Sequence, residues 1–182
     1  MDSEAVIAAT REWVEKAVIG LNLCPFAKAV YVKNQVRFAV STARHLDGLL
    51  EDLDRELDFL AAADPEAVDT TLLIHPTLLP DFLDFNDFMQ LAEAAVGEHG
   101  LEGVIQIASF HPAFQFADTA PDDIGNYTNR APYPILHLLR EASIARAVAA
   151  FPEAETIYER NIETLKALGH AGWDALWAAP PR

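Results

Sequence analysis

The chain has 182 residues, with 13 Lys and Arg against 28 Asp and Glu, so its formal net charge is −15. Its length and its 51% hydrophobic content predict one globular domain spanning residues 1–182. The apolar runs are shorter than a membrane-spanning helix, the start lacks the pattern of a secretory leader, and the one cysteine excludes an intrachain disulfide and a Cys-rich metal site. We therefore expect a cytoplasmic protein.

The acidic residues are concentrated in the middle of the chain. Residues 56–129 contain 14 carboxylates and no Lys or Arg. Binding to nucleic acid or to an anionic membrane needs clustered basic side chains, so both partners are disfavoured. The acidity is typical of a solvated surface, and the alternative is a face that attracts a basic partner.

Hydrophobic spacing predicts the elements of the N-terminal half. A first helix is expected over 3–19 with Ser3 as its cap, followed by a short hairpin with strands at 29–33 and 36–41. Leucines three and four residues apart predict a helix over 44–62.

The remaining predicted elements follow in chain order. Buried strands are expected at 70–75 and 104–110, separated by a helix near 86–98. Residues 111–135 contain four prolines and predict a long loop, a feature that is often functional. The predicted C-terminal helices cover 135–151, 153–168 and 173–177.

The order strand, helix, strand, helix, strand across residues 36–110 indicates two crossover units. Such units place their three strands in parallel. We therefore expect an α/β or α+β domain with a mostly parallel sheet of about four strands, helices packed on it, and several helices at the C-terminus. The sequence does not define the strand order.

Two of the predicted strands end in the same dipeptide. His75-Pro76 follows one strand and His111-Pro112 follows the next. The carboxyl ends of parallel strands share one edge of a sheet, where ligands often bind. We therefore expect both imidazoles to reach one site; the alternative is that each is bonded to nearby backbone.

The predicted helix after Pro134 supplies further candidates. His137 and Glu141 are four residues apart, so a helix would place them on one face, with Arg140 beside them. The first turn of that helix is expected to converge with His75 and His111 on one pocket. The alternative is a local His-Glu contact and a solvated Arg140.

The long loop carries a dense run of polar side chains that ends at Arg130. Arg130 and Arg140 are candidates for a fork that binds a carboxylate or phosphate, with Asn126 and Asn129 as further substrate-binding residues. The alternative is that the Asn side chains satisfy the loop backbone.

The single cysteine, Cys24, follows the first predicted helix and has apolar neighbours. This setting predicts a small buried residue rather than a nucleophile, which would need a nearby histidine. The chain has no phosphate-binding glycine loop, no dinucleotide fingerprint, no Gly-x-Ser-x-Gly elbow and no His-Glu-x-x-His motif.

Five segments together resemble the bacterial family called domain of unknown function 1415. They are NLCPF (22–26), TTLLIHP (70–76), IQIASFHP (105–112), NYTNRAPYP (126–134) and HLLRE (137–141). The resemblance covers nearly the whole chain and implies a single-domain, soluble protein. It carries over neither an activity nor a catalytic residue.

The candidate residues favour a small-molecule enzyme. The metal-assisted form is a hydrolase in which a divalent ion such as zinc is held by His75, His111 and either His137 or Glu141. Its catalytic residues are His111, His137 and Glu141. In a metal-free form, one histidine is a general base and Arg130 and Arg140 hold an anionic substrate. The other class is a binding module that uses the same pocket without catalysis.

Overall fold

Four strands form one mixed sheet in the centre of the molecule. A computed structural model describes residues 1–178, and its strands are β1 (Val36–Val40), β2 (Thr70–Ile74), β3 (Ile105–Phe110) and β4 (Ile135–Arg140). Their order across the sheet is β1-β2-β4-β3. β1 and β2 are parallel, whereas β4 is antiparallel to both of its neighbours.

The expected class, an α/β domain with a four-stranded sheet and packed helices, is confirmed. The three strands predicted to be parallel do run in one direction. The mostly parallel pairing is wrong, because β4 lies between β2 and β3 and makes two of the three strand pairs antiparallel.

The prediction of a helix over 135–151 is wrong in its first part. Residues 135–140 form β4, and only Glu141–Ala150 form a helix, α5. A central strand is covered on both faces and therefore has apolar residues at consecutive positions: Ile135 packs on one side of the sheet and Leu136 on the other. His137 and Glu141 consequently do not share a helix face.

Two helices cover one face of the sheet. These are α3 (Leu46–Ala62) and α4 (Phe82–Glu98). The predicted leucine stripe of α3 is buried against the sheet, at Leu49, Leu53, Leu57 and Leu60. The helix α4 begins four residues earlier than predicted because the Asp81 side chain caps its first turn.

Helices from both ends of the chain cover the other face. The first, α1 (Ser3–Trp13), continues as a π-helix over Val14–Ile19 and is capped by Asp2 rather than Ser3. The last, α6 (Ile157–Leu176), joins two predicted helices across a kink at Gly169, whose φ is 71°. The molecule is thus a three-layer sandwich. No helix within residues 1–178 is both long enough and apolar enough to cross a membrane.

A short helix replaces the predicted strand at 29–33. This is α2 (Ala27–Val32), which has no buried residue. The Tyr31 ring packs on the α1 side of the sheet, and the Gln35 amide N–H donates to the Val30 carbonyl. Tertiary contacts outweigh the local β preference of Val and Tyr here. The other hairpin strand is confirmed as β1.

Candidate active site

His75 and His111 lie at the same edge of the sheet, as the two His-Pro strand ends predict. Both pack against the Phe85 ring of α4, with ring centroids 5.7 Å and 5.0 Å away. Both are about 1% exposed. The two residues are therefore close in space on the α4 face, although β4 separates their strands.

All the hydrogen-bonding capacity of the His111 ring is used by the backbone. Its Nε2 donates to the Leu79 carbonyl at 2.9 Å, and its Nδ1 accepts from the Ala113 amide at 2.9 Å. Burial lowers the pKa of His111, and the bond to Leu79 offsets part of that shift. A neutral His111 thus ties two loops to the end of β3.

Neither ring nitrogen of His75 makes a hydrogen bond with any of residues 1–178. Burial lowers its pKa to about 4; the backbone near Leu78 opposes the shift and His111 adds to it. An unpaired polar ring in the interior costs free energy, and its protonation would cost more. His75 is therefore neutral in the folded protein at neutral pH.

His137 lies on the opposite face of the sheet from His75 and His111. Its ring faces the α1 side, 5.9 Å from the Phe110 ring, while its neighbours Leu136 and Leu138 face α3 and α4. The structure therefore does not bring the three histidines together. Within residues 1–178, no three His, Cys, Asp or Glu side chains form a group that could hold a metal ion.

The two arginines do not form the expected fork. Arg130 donates to the carbonyls of Phe114 and Pro121, whereas Arg140 donates to those of Ala63 and Val68. These carbonyls belong to different loops, so each guanidinium holds a loop in place. Arg130 also lines a second cavity, of about 460 Å³.

The polar side chains of the long loop bond to backbone groups of the loop itself and of β3. The Asn126 side chain accepts from the Phe116 amide and donates to the Ala120 carbonyl, and Asn129 donates to the Ser109 carbonyl. Glu141 is the first residue of α5 and its amide donates to Val104. Asn126 and Asn129 therefore follow the alternative given above, in which their side chains satisfy backbone groups. Glu141 is absent from the lining of the cavity that contains His137, which is described next.

A cavity of about 730 Å³ lies against the face of the sheet that carries His137. Its volume is in the range of small-molecule sites. Most of its lining is apolar. The sheet side of the cavity is formed by Thr70, Leu72, Phe110, His137 and Leu139, and the helix side by residues of α1, α2 and α5.

Two walls of this cavity are helices without a buried residue, α2 and α5. Their small apolar residues, including Ala27, Ala29, Ala147 and Ala150, line the empty space instead of filling it. Phe26 and Phe151 close one side, with their ring centroids 5.9 Å apart. Sequence reasoning missed this cavity; the alanine-rich face of α5 is the signal that could have indicated it.

The protonation state of His137 follows from its partners. The Thr70 hydroxyl lies 2.6 Å from the Leu138 carbonyl and 2.8 Å from His137 Nε2. A hydroxyl has one hydrogen, which goes to the carbonyl, so His137 Nε2 must donate to Thr70. Nδ1 is then an unprotonated acceptor, and it makes no hydrogen bond within residues 1–178. Burial lowers the pKa of His137 to about 4, which keeps the ring neutral.

Cys24 lines the same cavity. Burial raises the pKa of its thiol, and backbone hydrogen bonds around Phe26 and Ala27 lower it to a smaller extent. The thiol therefore stays protonated at neutral pH, and the thiolate is the nucleophilic form. Cys24 is thus half-buried rather than buried as the sequence predicts, and its protonated thiol is a poor nucleophile.

The layers and the cavity define this molecule as a three-layer α/β protein with a ligand-sized pocket between its sheet and its outer helices. The chain belongs to the family described as protein of unknown function (DUF1415), whose model matches residues 5–175. The resemblance seen in the sequence is thereby confirmed. No curated protein and no solved structure matches the chain.

Proposed function

We propose that this protein is a metal-free acid–base enzyme that acts on a small molecule bound in the His137 cavity. The proposal is carried by the neutral imidazole of His137, which lines an apolar cavity of about 730 Å³. The lone pair on its Nδ1 has no partner among the residues that the structure describes. The residue proposed as general base is His137. The metal-assisted hydrolase loses its support because His75 and His111 lie on the other face of the sheet.

Thr70 is the proposed positioning residue. Its hydroxyl donates to the Leu138 carbonyl and accepts from His137 Nε2, which fixes the ring in one tautomer. Because the tautomer and orientation of the base are set before the substrate binds, less free energy is needed to reorganise the base during the reaction. The apolar lining keeps water away from the bound molecule.

A binding module remains the second candidate, and one observation favours it. A pKa near 4 makes the His137 ring a weak base at neutral pH, whereas acid–base catalysts work best with a pKa near the working pH. In this version Nδ1 accepts a hydrogen bond from the ligand without removing its proton.

The proposed partner is a small molecule and not nucleic acid. The lack of Lys and Arg in residues 56–129 supports this, because binding of nucleic acid needs basic side chains. The proposed location is the cytoplasm. The free thiol of Cys24 supports it, since a reducing compartment keeps thiols free.

The test uses 5-nitrobenzisoxazole, a compact aromatic probe. A base takes its one carbon-bound proton on the five-membered ring, the N–O bond breaks, and a coloured cyanophenolate forms. We expect turnover that rises with pH through a midpoint near the His137 pKa of about 4 and then stays constant. His137→Ala should lower kcat/KM by about 100-fold. His45→Ala is the control, since His45 is exposed at the start of α3.

Binding without turnover identifies the binding module. It is measured with 5-nitrobenzotriazole, an inert analogue of the same shape. If the analogue binds the wild type but His137→Ala and wild type give equal rates, the acid–base proposal is wrong and the second candidate stands. Absence of binding by either compound contradicts both candidates at this cavity.

A further inference from the structure

We propose that the ligand of the His137 cavity is an amphipathic anion, with an apolar body inside the cavity and an anionic oxygen head group held at its mouth by Lys33 and Arg146. The inference rests on the cavity being the ligand site, as proposed above. It does not require that His137 removes a proton. It names the chemical class of the ligand.

The charge of the cavity wall differs from that of the chain as a whole. Residues 16–46 contain five Lys and Arg and no Asp or Glu, in a chain with 13 basic and 28 acidic residues. This segment supplies α2 and the entry to β1, which form much of the cavity wall. The cavity therefore lies beside a basic segment of an otherwise acidic protein.

Lys33 and Arg146 lie where the cavity meets solvent. Lys33 follows α2 and Arg146 is on α5, so the two cations come from different walls. Both are exposed, and neither has a carboxylate within 4.0 Å among residues 1–178. By contrast, Arg37 in the same basic segment is paired with Glu56. Two unpaired cations at the mouth of an apolar cavity favour an anionic head group there.

Two carboxylates also line the cavity, Glu66 and Asp69. The Asp69 carboxylate already accepts a hydrogen bond from Ser143 at 2.6 Å, and Arg146 in turn donates to the Ser143 hydroxyl at 3.3 Å. Asp69 thus helps to hold the side chain of Ser143 beside Arg146. Glu66 is exposed, and its negative charge makes a cationic head group the competing outcome of the test.

The side chains that line the His137 cavity indicate the chemistry of the ligand body. Alanines on α2 and α5, together with Leu72, Leu139 and Ile144, leave a space with few hydrogen-bonding groups. A body that fills it gains free energy by removing apolar surface from water. The body of the ligand is therefore mostly apolar apart from the group that meets His137 Nδ1, and the head group stays near solvent.

The experiment compares three probes with the same chain and different head groups: octanoate, 1-octanol and octyltrimethylammonium. Calorimetric titration measures their affinities for the full-length protein. We expect octanoate to bind about tenfold more tightly than octanol, and the cation to bind most weakly. The double variant Lys33→Gln, Arg146→Gln should remove this preference and leave the affinity for octanol unchanged. Lys28 is exposed on α2 and lies outside the cavity lining, so the control variant Lys28→Gln should behave as wild type.

Three other results overturn the inference, and a fourth supports it while deciding between the two proposed functions. Equal affinities for octanoate and octanol, or strongest binding of the cation, contradict the anionic head group. Those results leave the acid–base proposal intact if the benzisoxazole is still turned over. Preferred binding of octanoate without benzisoxazole turnover confirms the ligand class and supports the binding module. Failure of all three probes to bind contradicts the cavity as a site for this class of ligand.

Discussion

His75 shows how a single buried side chain makes the stability of the protein depend on pH. Its ring has no hydrogen-bond partner in the described part of the chain, and burial lowers its pKa from 6.5 to about 4 in the folded protein. The unfolded chain therefore binds more protons than the folded chain between these two values. Because protonation favours the unfolded state, the free energy of unfolding falls as the pH is lowered through this window.

We predict that His75 alone accounts for a loss of about 3 kcal/mol in the free energy of unfolding between pH 7 and pH 4. His137 has a shift of the same sign, whereas Asp58 and Asp54 raise the pKa of His99 and give it the opposite sign. The measurement is therefore a difference: urea unfolding of wild type and His75→Leu at several pH values.

The difference in the free energy of unfolding between wild type and His75→Leu should change steeply from pH 6.5 to pH 4 and stay constant above pH 7. His45→Leu, a change at an exposed residue, serves as the control and should follow the wild-type curve. A constant difference between wild type and His75→Leu across this pH range would show that His75 gains a partner for its proton.

At the level of single residues, the sequence predicted half of the histidine arrangement. The His-Pro ends of β2 and β3 correctly place His75 and His111 at one edge, because a proline after a strand marks where the strand stops. The position of His137 depends on whether residues 135–140 are a helix or a strand. The contacts of Arg130 and Arg140 were not predictable, because their carbonyl partners lie in loops that only the fold brings near.

At the level of elements, α2 and α5 serve as walls rather than as core. Neither has a buried residue, in contrast to the four buried leucines of α3. Their apolar sides face the His137 cavity, so a ligand bound there, as proposed, would add to their packing. These two helices should therefore open more readily than α3 in the free protein.

Filling the cavity from α5 should block the ligand without harming the fold. Ala147 lines the cavity, whereas Ala145 on the same helix is exposed and does not. We predict that Ala147→Phe lowers the affinity for octanoate by about tenfold, since the new ring occupies space that the ligand body needs. Ala145→Phe has the same cost in helix propensity and should leave the affinity unchanged.

Calorimetric titration and thermal unfolding of both variants provide the measurements. The melting temperature of Ala147→Phe should be no lower than that of Ala145→Phe, because the ring enters an existing space. Unchanged octanoate binding by Ala147→Phe would place the ligand elsewhere. A large fall in its melting temperature alone would mean that the cavity closes in solution.

Elements with one buried face were predictable and elements that depend on neighbours were not. The leucines of α3 repeat at helical spacing, which predicts a helix with one buried face, and the structure confirms this helix. β4 is apolar at consecutive positions because it is covered on both faces, and a short apolar run of this kind does not distinguish strand from helix. The spacing of His137 and Glu141 then favoured the wrong choice. In α2, local strand preference was outweighed by tertiary contacts.

The charge of the whole molecule is large and divided along the chain. The net charge of −15 arises mainly in residues 56–129, while residues 16–46 are basic. Like charges repel in the compact state more than in the expanded chain. Dissolved salt weakens this repulsion, because the screening length falls from about 30 Å at 0.01 M to about 8 Å at 0.15 M.

We predict that the melting temperature rises with salt over this range. Relief of self-repulsion by about 1 kcal/mol corresponds to roughly 2–4 °C for a chain of this size. The measurement is thermal unfolding at neutral pH in NaCl and in KCl, which should give the same rise at equal ionic strength. A fall in melting temperature would mean that attractive ion pairs, such as Arg37 with Glu56, outweigh the repulsion.

The position of β4 has a consequence for how the chain is made. On the ribosome, β1, β2 and β3 emerge before β4. Yet within residues 1–178 β3 pairs only with β4, and β2 has β4 as one of its two partners. Until residue 140 is released, the nascent chain therefore has unpaired strand edges, which can bind the edges of other chains. Synthesis that stops within residues 111–134 leaves β3 with no strand to pair with. The sheet is completed from its middle, by the last of its strands to be translated.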